Sequence, residues 1–372
     1  MLGRRVTIAI LALSVLVSGT SGAAIERVSK DTLMLVHVLF RHGNRTADSQ
    51  EELYPTDPHY NRTYFPTGMG QLTNAGKLRE FNIGRELRAT YNEFLGDVVY
   101  PTLVDARSTD VNRTKASLLY CLAGLFPPKD EQVWNGAFAW QAIPTYYLTV
   151  PNDQVLAGRL CPNYESAYEE FSNSLQQQAE YAEYQDVMDY ISEHSGLNIT
   201  TFKQIYAMYF GVSTEVENGL SQPKWLKKVW PDQISQLAVK YYHVATATKT
   251  LKQFQAGFLI KKIFEDSIAK ILENTKSKFK KKLYLYSAHE INVASLLLTL
   301  GVFDDVVPNY GSYVSFELHK INGEYGFKIF YQNYLTDKPI LLNIPGCGEF
   351  CVLTTFYNLF SQYMPPENIC GF

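Results

Sequence analysis

Three short stretches carry side chains suited to gripping and attacking an anion: Arg41-His42-Gly43-Asn44-Arg45, Arg107-Ser108-Thr109 and His289-Glu290. Guanidinium groups stay charged at any working pH and present planar, paired donors that match phosphate oxygens. Arg41, Arg45 and Arg107 in one cleft would repel each other unless a multivalent anion were the guest. A neutral imidazole such as His42 can attack phosphorus directly and divide one hard displacement into two easier ones. Gly43 lets the main chain approach the anion with no Cβ in the way. His289 adds a donor for the phosphate. Glu290 is the carboxyl placed to protonate the leaving group and then to activate water. With arginines and His289 carrying the charge, this chemistry calls for no metal or other cofactor.

The three stretches each follow a short apolar run. Leu33–Phe40 reads as a strand buried on both faces, Pro101–Ala106 as a second strand ending at Arg107, and Lys282–Ala288 as a third ending at His289. Ligands of open α/β sheets bind outside the carboxyl ends of the strands, so neighbouring strands would bring the three stretches together. Thr73 is placed to cap a helix that Gly96 stops. Ser108 or Thr109 is available to cap another reaching about Phe126, and Ile291–Leu300 forms a third before Gly301. Tyr313–Leu318 and Phe327–Tyr331 flank Asn322-Gly323 and predict a hairpin. From about Tyr164 to Tyr242 the chain is rich in Glu, Gln and Tyr and poor in strand signals, with breaks near Gly196, Gly211 and Pro223. It reads as a helical insertion, and a long helix from about Pro231 to Asn274 returns the chain. The expected division is an α/β core from residues 24–155 and 240–372, with a helical cap at 156–239.

The length of 372 residues suits two domains or one domain with an insertion. The 34 basic and 37 acidic residues leave a net charge of −3 and no global positive field, which argues against nucleic acid as the partner. At the N-terminus, Arg4 and Arg5 precede a Val6–Val17 apolar run and then small residues Ser18 to Ala24. That is the layout of a secretory signal, residues 1–23, cut after Ala23 or Ala24. The run is far short of the ~20 residues that cross a bilayer. No other stretch is long enough, so the sequence predicts a secreted, extracellular protein without a membrane anchor. Export makes the five cysteines disulfide candidates. Cys121 reads as a free buried thiol, Cys347 and Cys351 could close a local ring, and Cys161 and Cys370 are left as a long-range pair. No Cys or His pair has zinc-ligand spacing. Asn61 and Asn198 head sequons in polar, loop-like segments and are the candidate glycosylation sites. Asn44 and Asn112 head sequons inside the expected pocket.

Arg41-His42-Gly43-Asn44-Arg45 resembles the signature of the histidine acid phosphatases, a branch of the histidine phosphatase superfamily. The similarity extends to Gly70–Gly76, Arg107–Arg113, Leu125–Pro128, Ser287–Glu290 and Pro345–Cys347, nearly the whole mature chain. The short form looks most like the secreted acid phosphatases of insect venoms. The resemblance implies an α/β fold: a mostly parallel central sheet flanked by helices, as in phosphoglycerate mutase, with an inserted helical cap. It implies phosphorylation of His42, phosphate held by Arg41, Arg45, Arg107 and His289, disulfides Cys161–Cys370 and Cys347–Cys351, and a homodimer. Two positions depart from the pattern. Thr46-Ala47 replaces the usual x-Pro after the second arginine, and Glu290 replaces the usual Asp proton donor. The expected function is metal-independent hydrolysis of phosphate monoesters with an acidic optimum, on a small-molecule or phosphoprotein substrate. The alternatives are a phosphatase specialised for phytate or lysophospholipids, and a catalytically impaired phosphate-binding protein; the Glu290 and Ala47 departures motivate the latter.

Overall fold

The computed structural model describes residues 32–49, 52–150, 152–273 and 280–371; the expected signal segment lies outside them. Strand β1 (Leu33–Arg41) runs through the middle of the sheet and is buried along most of its length, as its apolar run requires. Strand β2 (Val104–Ser108) and the two-residue β3 (Tyr146–Tyr147) lie to one side of it, with β4 (Leu283–Ala288) between β2 and β1. These four strands are parallel. On the other side, β5 (Tyr313–Ile321) and β6 (Glu324–Gln332) form the hairpin expected around Asn322-Gly323. Both turn residues have positive φ, the condition for a tight turn that matches strand twist. The short strands β7 (Ile340–Leu341) and β8 (Cys351–Val352) pair with β6. The sheet is therefore mixed, with a parallel half that carries the crossover helices.

Helices α1 (Asn74–Leu95) and α2 (Asn112–Leu125) cover one face, packing Ile83, Leu87, Leu118 and Leu122 on Val36, Val38 and Phe40. They approach backbone to backbone, because a Cβ at Gly84 or Gly124 would run into the carbonyl of Cys121 or Phe81. Thr73 caps α1 as expected, its Oγ1 accepting from the Gly76 N–H at 3.2 Å. In the middle of the chain lie α3 (Gln154–Ala157), α4 (Pro162–Ser172), α5 (Leu175–Glu183), α6 (Gln185–Ser195), α7 (Phe202–Glu217) and α8 (Asp232–Ala245). This helical stretch packs Tyr168, Ile191, Phe202, Ile205, Leu237 and Tyr242 into one apolar cluster, which continues into Ile291 and Ala294 of the helix after β4. The short α9 (Lys249–Lys252) passes through a π-turn into α10 (Phe258–Leu272). With α11 (Glu290–Leu300) and α12 (Leu353–Phe360), α10 covers the second sheet face.

Two expected elements differ. The single helix expected over 231–274 is divided after Ala245, where Thr248 turns outward and caps α9 by accepting from the Leu251 N–H. Strand β2 is displaced toward higher numbers and runs through Arg107, so that Arg107 is a strand residue rather than the first residue past a strand end. Both proposed disulfides, Cys161–Cys370 and Cys347–Cys351, are formed, and Cys121 is free and buried.

Candidate active site

β1 and β4 lie side by side with Arg41 opposite Ala288, so His42 and His289 leave adjacent strand ends together. Their rings stand 5.5 Å apart, nearly perpendicular. The Nδ1 of His42 lies 2.9 Å from its neighbour's carbonyl, Gly43 O. A carbonyl only accepts, so Nδ1 carries the hydrogen and Nε2 keeps the lone pair. Arg113 confirms that assignment by donating its Nε–H to His42 Nε2 at 3.1 Å. Burial pushes the His42 ring well below the ordinary histidine pKa, and the charges of Arg113, Arg41 and Arg45 push the same way. The imidazole is neutral, and its Nε2 keeps a lone pair turned toward the Arg113 guanidinium.

Around that nitrogen sits a cup of guanidinium groups. Arg41 is 2% exposed, donates to Pro308 O at 2.7 Å, and lies over the Tyr310 ring at 3.7 Å. Arg45 makes a two-toothed pair with Glu52 at 2.6 and 2.8 Å. Among the described residues, Arg41 Nη2 and Arg45 Nε are buried N–H groups with no hydrogen-bond partner. Such donors are rare in folded proteins and, in a cationic cleft, mark where an anion is meant to sit. Arg113, from the first turn of α2, is held by Asp48 at 2.9 Å.

His289 is positioned from two sides. Its Nε2 meets Thr109 Oγ1 at 3.1 Å, and its N–H donates to Asn292 Oδ1 at 3.2 Å. Asn292 in turn donates to Leu156 O at 2.9 Å. Burial lowers the His289 pKa well below the usual value, followed by the charges of Arg113 and Arg159. Glu290 is 6% exposed. Its Oε2 lies 3.4 Å from Arg41 Nε, and its Oε1 accepts from Tyr206 O–H at 2.5 Å. Burial would raise its pKa, but Arg41 and the Tyr206 hydrogen bond outweigh burial and hold it below the ordinary glutamate value.

The structure therefore brings His42, Arg41, Arg45, His289 and Glu290 to one place. Arg107 is engaged elsewhere. Its guanidinium is ion-paired with buried Asp153, which also caps α3 by accepting from the Leu156 N–H at 3.0 Å. The physical reason is the displacement of β2 toward higher numbers: side chains alternate along a strand, and Arg107 lies inside it, opposite Tyr286. The second crossover instead supplies Arg113, which the sequence reading passed over, and Arg159 adds charge near His289. A basic residue in the first turn of a helix, where the dipole favours anions, is the signal that could have found Arg113. The aromatic residues Trp134, Trp140, Tyr146 and Tyr147 are exposed. Tyr146 and Tyr147 form β3 at the sheet edge, and the cleft-facing aromatics Tyr206 and Phe210 come from α7.

A parallel half-sheet that ends in a neutral imidazole and a guanidinium cup defines an α/β enzyme built to handle phosphate. The chain belongs to the histidine phosphatase superfamily (branch 2), whose family model matches residues 32–332, and it is a phosphatase. It is 34% identical to a venom acid phosphatase of Apis mellifera, over 91% of this chain and 87% of that one. It is 30% identical to the prostatic acid phosphatase of Homo sapiens, over 90% and 86%. Among solved structures, the Hafnia alvei phytase in complex with tartrate shares the fold with a TM-score of 0.66 at 17% identity, covering 91% of this chain and 98% of that one. The Klebsiella sp ASR1 phytase does so with a TM-score of 0.65 at 16% identity and the same coverage.

Proposed function

We propose that this protein is a secreted acid phosphatase that hydrolyses phosphate monoesters through a phosphohistidine at His42, without a metal ion. In the first step His42 Nε2 attacks phosphorus, the ester P–O bond breaks, and the departing oxygen takes the proton of Glu290. In the second, water attacks the phosphohistidine while the Glu290 carboxylate accepts its proton, freeing phosphate and the imidazole. Arg41, Arg45 and His289 hold the phosphate oxygens, with Arg113 in the place first expected of Arg107. The observation that carries this reading is the fixed tautomer of His42. Nδ1 is committed to Gly43 O, and Nε2 already accepts from a guanidinium that can turn to a phosphate oxygen.

An acidic optimum follows from the same geometry. His42 stays neutral in acid because burial and cations suppress its protonation. Glu290 must be protonated to serve as the acid, and its lowered pKa places that form at low pH. The signal-like N-terminus and the two disulfides support export. No helix among the described residues is long and apolar enough to cross a membrane. Asn61 and Asn198 are exposed and are the proposed glycan sites. The homodimer reading is supported by the edge strand β3, whose Tyr146 and Tyr147 are 40% and 46% exposed and lie close in the chain to exposed Trp134 and Phe138.

The test is rapid mixing with a ³²P-labelled monoester in chelator, quenched in alkali, with peptide mapping. Label on the His42 peptide, absent from His42→Ala, is the expected result. Turnover with no labelled histidine, or turnover only after a divalent metal is added, overturns the mechanism.

A further inference from the structure

One face of helix α7 meets the catalytic apparatus at three points. Tyr206 donates to Glu290 Oε1 at 2.5 Å. The Phe210 ring lies 5.2 Å from the Arg41 guanidinium and 6.0 Å from that of Arg45. Glu217 accepts from Asn44 Nδ2 at 3.0 Å. Positions 206, 210 and 217 are separated by four and seven residues, so they form one stripe of an α-helix. Tyr206 is the member that touches a proton-transferring group, and it is itself held in place. Its ring packs at 4.5 Å from Tyr241, 5.0 Å from Phe210 and 5.6 Å from Tyr242.

A glutamate at this position has one more rotatable bond than the aspartate usual in the family. A carboxyl with that freedom needs two fixed contacts to be held in a single orientation, and here each oxygen has one: Oε1 with Tyr206 and Oε2 with Arg41. We propose that Tyr206 is the positioning residue for the proton donor, so that helix α7 sets which Glu290 oxygen delivers the proton to the leaving group. This rests on the reading of Glu290 as that donor. With the Tyr206 hydroxyl donating to Oε1, the transferable proton resides on Oε2. It passes to the leaving alkoxide as the ester P–O bond breaks and the bond to His42 forms.

The charged and titratable groups facing Glu290 are Arg41 at the end of β1, Arg45 just beyond it, Arg113 on α2, Tyr206 and Tyr209 on α7, and Tyr241 and Tyr242 on α8. Of the phenols, Tyr206 is the one hydrogen-bonded to the carboxylate. Removing its hydroxyl takes away a bond that favours the charged form.

The test is Tyr206→Phe, which keeps the ring and deletes the donor, assayed with glycerol 2-phosphate and with p-nitrophenyl phosphate. An alkoxide needs a proton to leave and a nitrophenolate does not, so the alkyl-to-aryl ratio of kcat/KM should fall about 10-fold. That ratio does not depend on the fraction of protein folded. The alkaline limb of the alkyl kcat/KM profile should also move to higher pH, which a packing defect alone would not cause. The ratio is taken from kcat/KM, which reports P–O cleavage and not the hydrolysis of the phosphohistidine common to both esters, and in the Glu290→Gln background the same substitution should leave it unchanged. An unchanged ratio in Tyr206→Phe, or an equal effect in both backgrounds, overturns the proposal. If Glu290→Gln itself leaves alkyl turnover and its pH limb intact, it is the donor reading that fails.

Discussion

Two crossovers deliver charge to the nitrogen of His42, and they do it by different means. After β4 there is no loop: His289 and Glu290 follow the last strand residue, and Glu290 already begins α11. After β2 the chain makes a short turn through Thr109 to Val111 before α2, and the cation that reaches His42 is Arg113, the second residue of that helix. Arg107, still inside the strand, serves as a clamp. It holds Asp153, Asp153 caps α3, and Leu156 of α3 accepts from Asn292, which fixes the backbone of His289. The same residue type therefore has two placements six positions apart, one against His42 and one on the scaffold that orients His289. The difference teaches that charge near a strand end has no fixed role. The role depends on whether the strand has finished.

The sharpest way to break this comparison is to exchange the fates of the two arginines. Arg113→Ala should lower kcat/KM for a monoester by about 10²- to 10³-fold, the usual loss for one donor aimed at developing charge, with little change in thermal melting. Arg107→Ala should do the reverse, leaving the Asp153 carboxylate buried without its cation. Chemical denaturation should show a loss of about 3 kcal/mol, while turnover per folded molecule falls less than about 10-fold. Equal kinetic losses in the two variants would erase the distinction between them.

A smaller effect separates the rings from the rest of the protein. His42 and His289 have native pKa values below the free value of 6.5 because they are buried among cations. The unfolded chain therefore takes up protons that the native state refuses. Stability falls as pH drops below about 6.5. Between pH 7 and pH 5, His42→Gln should lose about 2 kcal/mol less stability than the wild type in parallel denaturant titrations.

The smallest expected effect has the opposite sign. Glu80 on α1 is fully buried, neither carboxyl oxygen has a hydrogen-bond partner among the described residues, and burial drives its pKa well above the ordinary value despite Arg79 and Arg41. The native state keeps this proton where the unfolded chain gives it up, so Glu80 contributes a loss of stability as pH rises above the ordinary glutamate value of 4.5. Glu80→Gln should raise Tm at pH 7 by roughly 3 °C and leave it nearly unchanged at pH 4, as measured by calorimetry.

The contrast between the two crossovers also explains what could be read from the amino acids alone. Leu33–Phe40 and Lys282–Ala288 are mostly apolar runs that stop at Arg41 and at His289, so the strand ends and the side chains beyond them were legible together. At β2 the run is interrupted by Asp105, and nothing local shows that the strand continues through Arg107 and Ser108. Arg113 lies among Asn112, Thr114 and Lys115 and resembles a solvated helix face. Its contact with His42 spans 71 positions of the chain and so depends on how the strands are placed side by side. Tyr206 was hidden for a related reason. Along α7 it reads as one more aromatic of a core stripe, and its partner lies 84 positions away.

The bridge between Cys161 and Cys370 ties together positions 209 residues apart, immediately after the short turn Gly158–Leu160 that carries Arg159. Asn163 reinforces the junction by donating to Ile369 O at 2.9 Å. The end of the chain is thus fastened within ten residues of Asp153, where the alignment of His289 begins. The bond makes the far end of the described chain part of the same local frame as Arg159, so a displacement of either segment is felt by both.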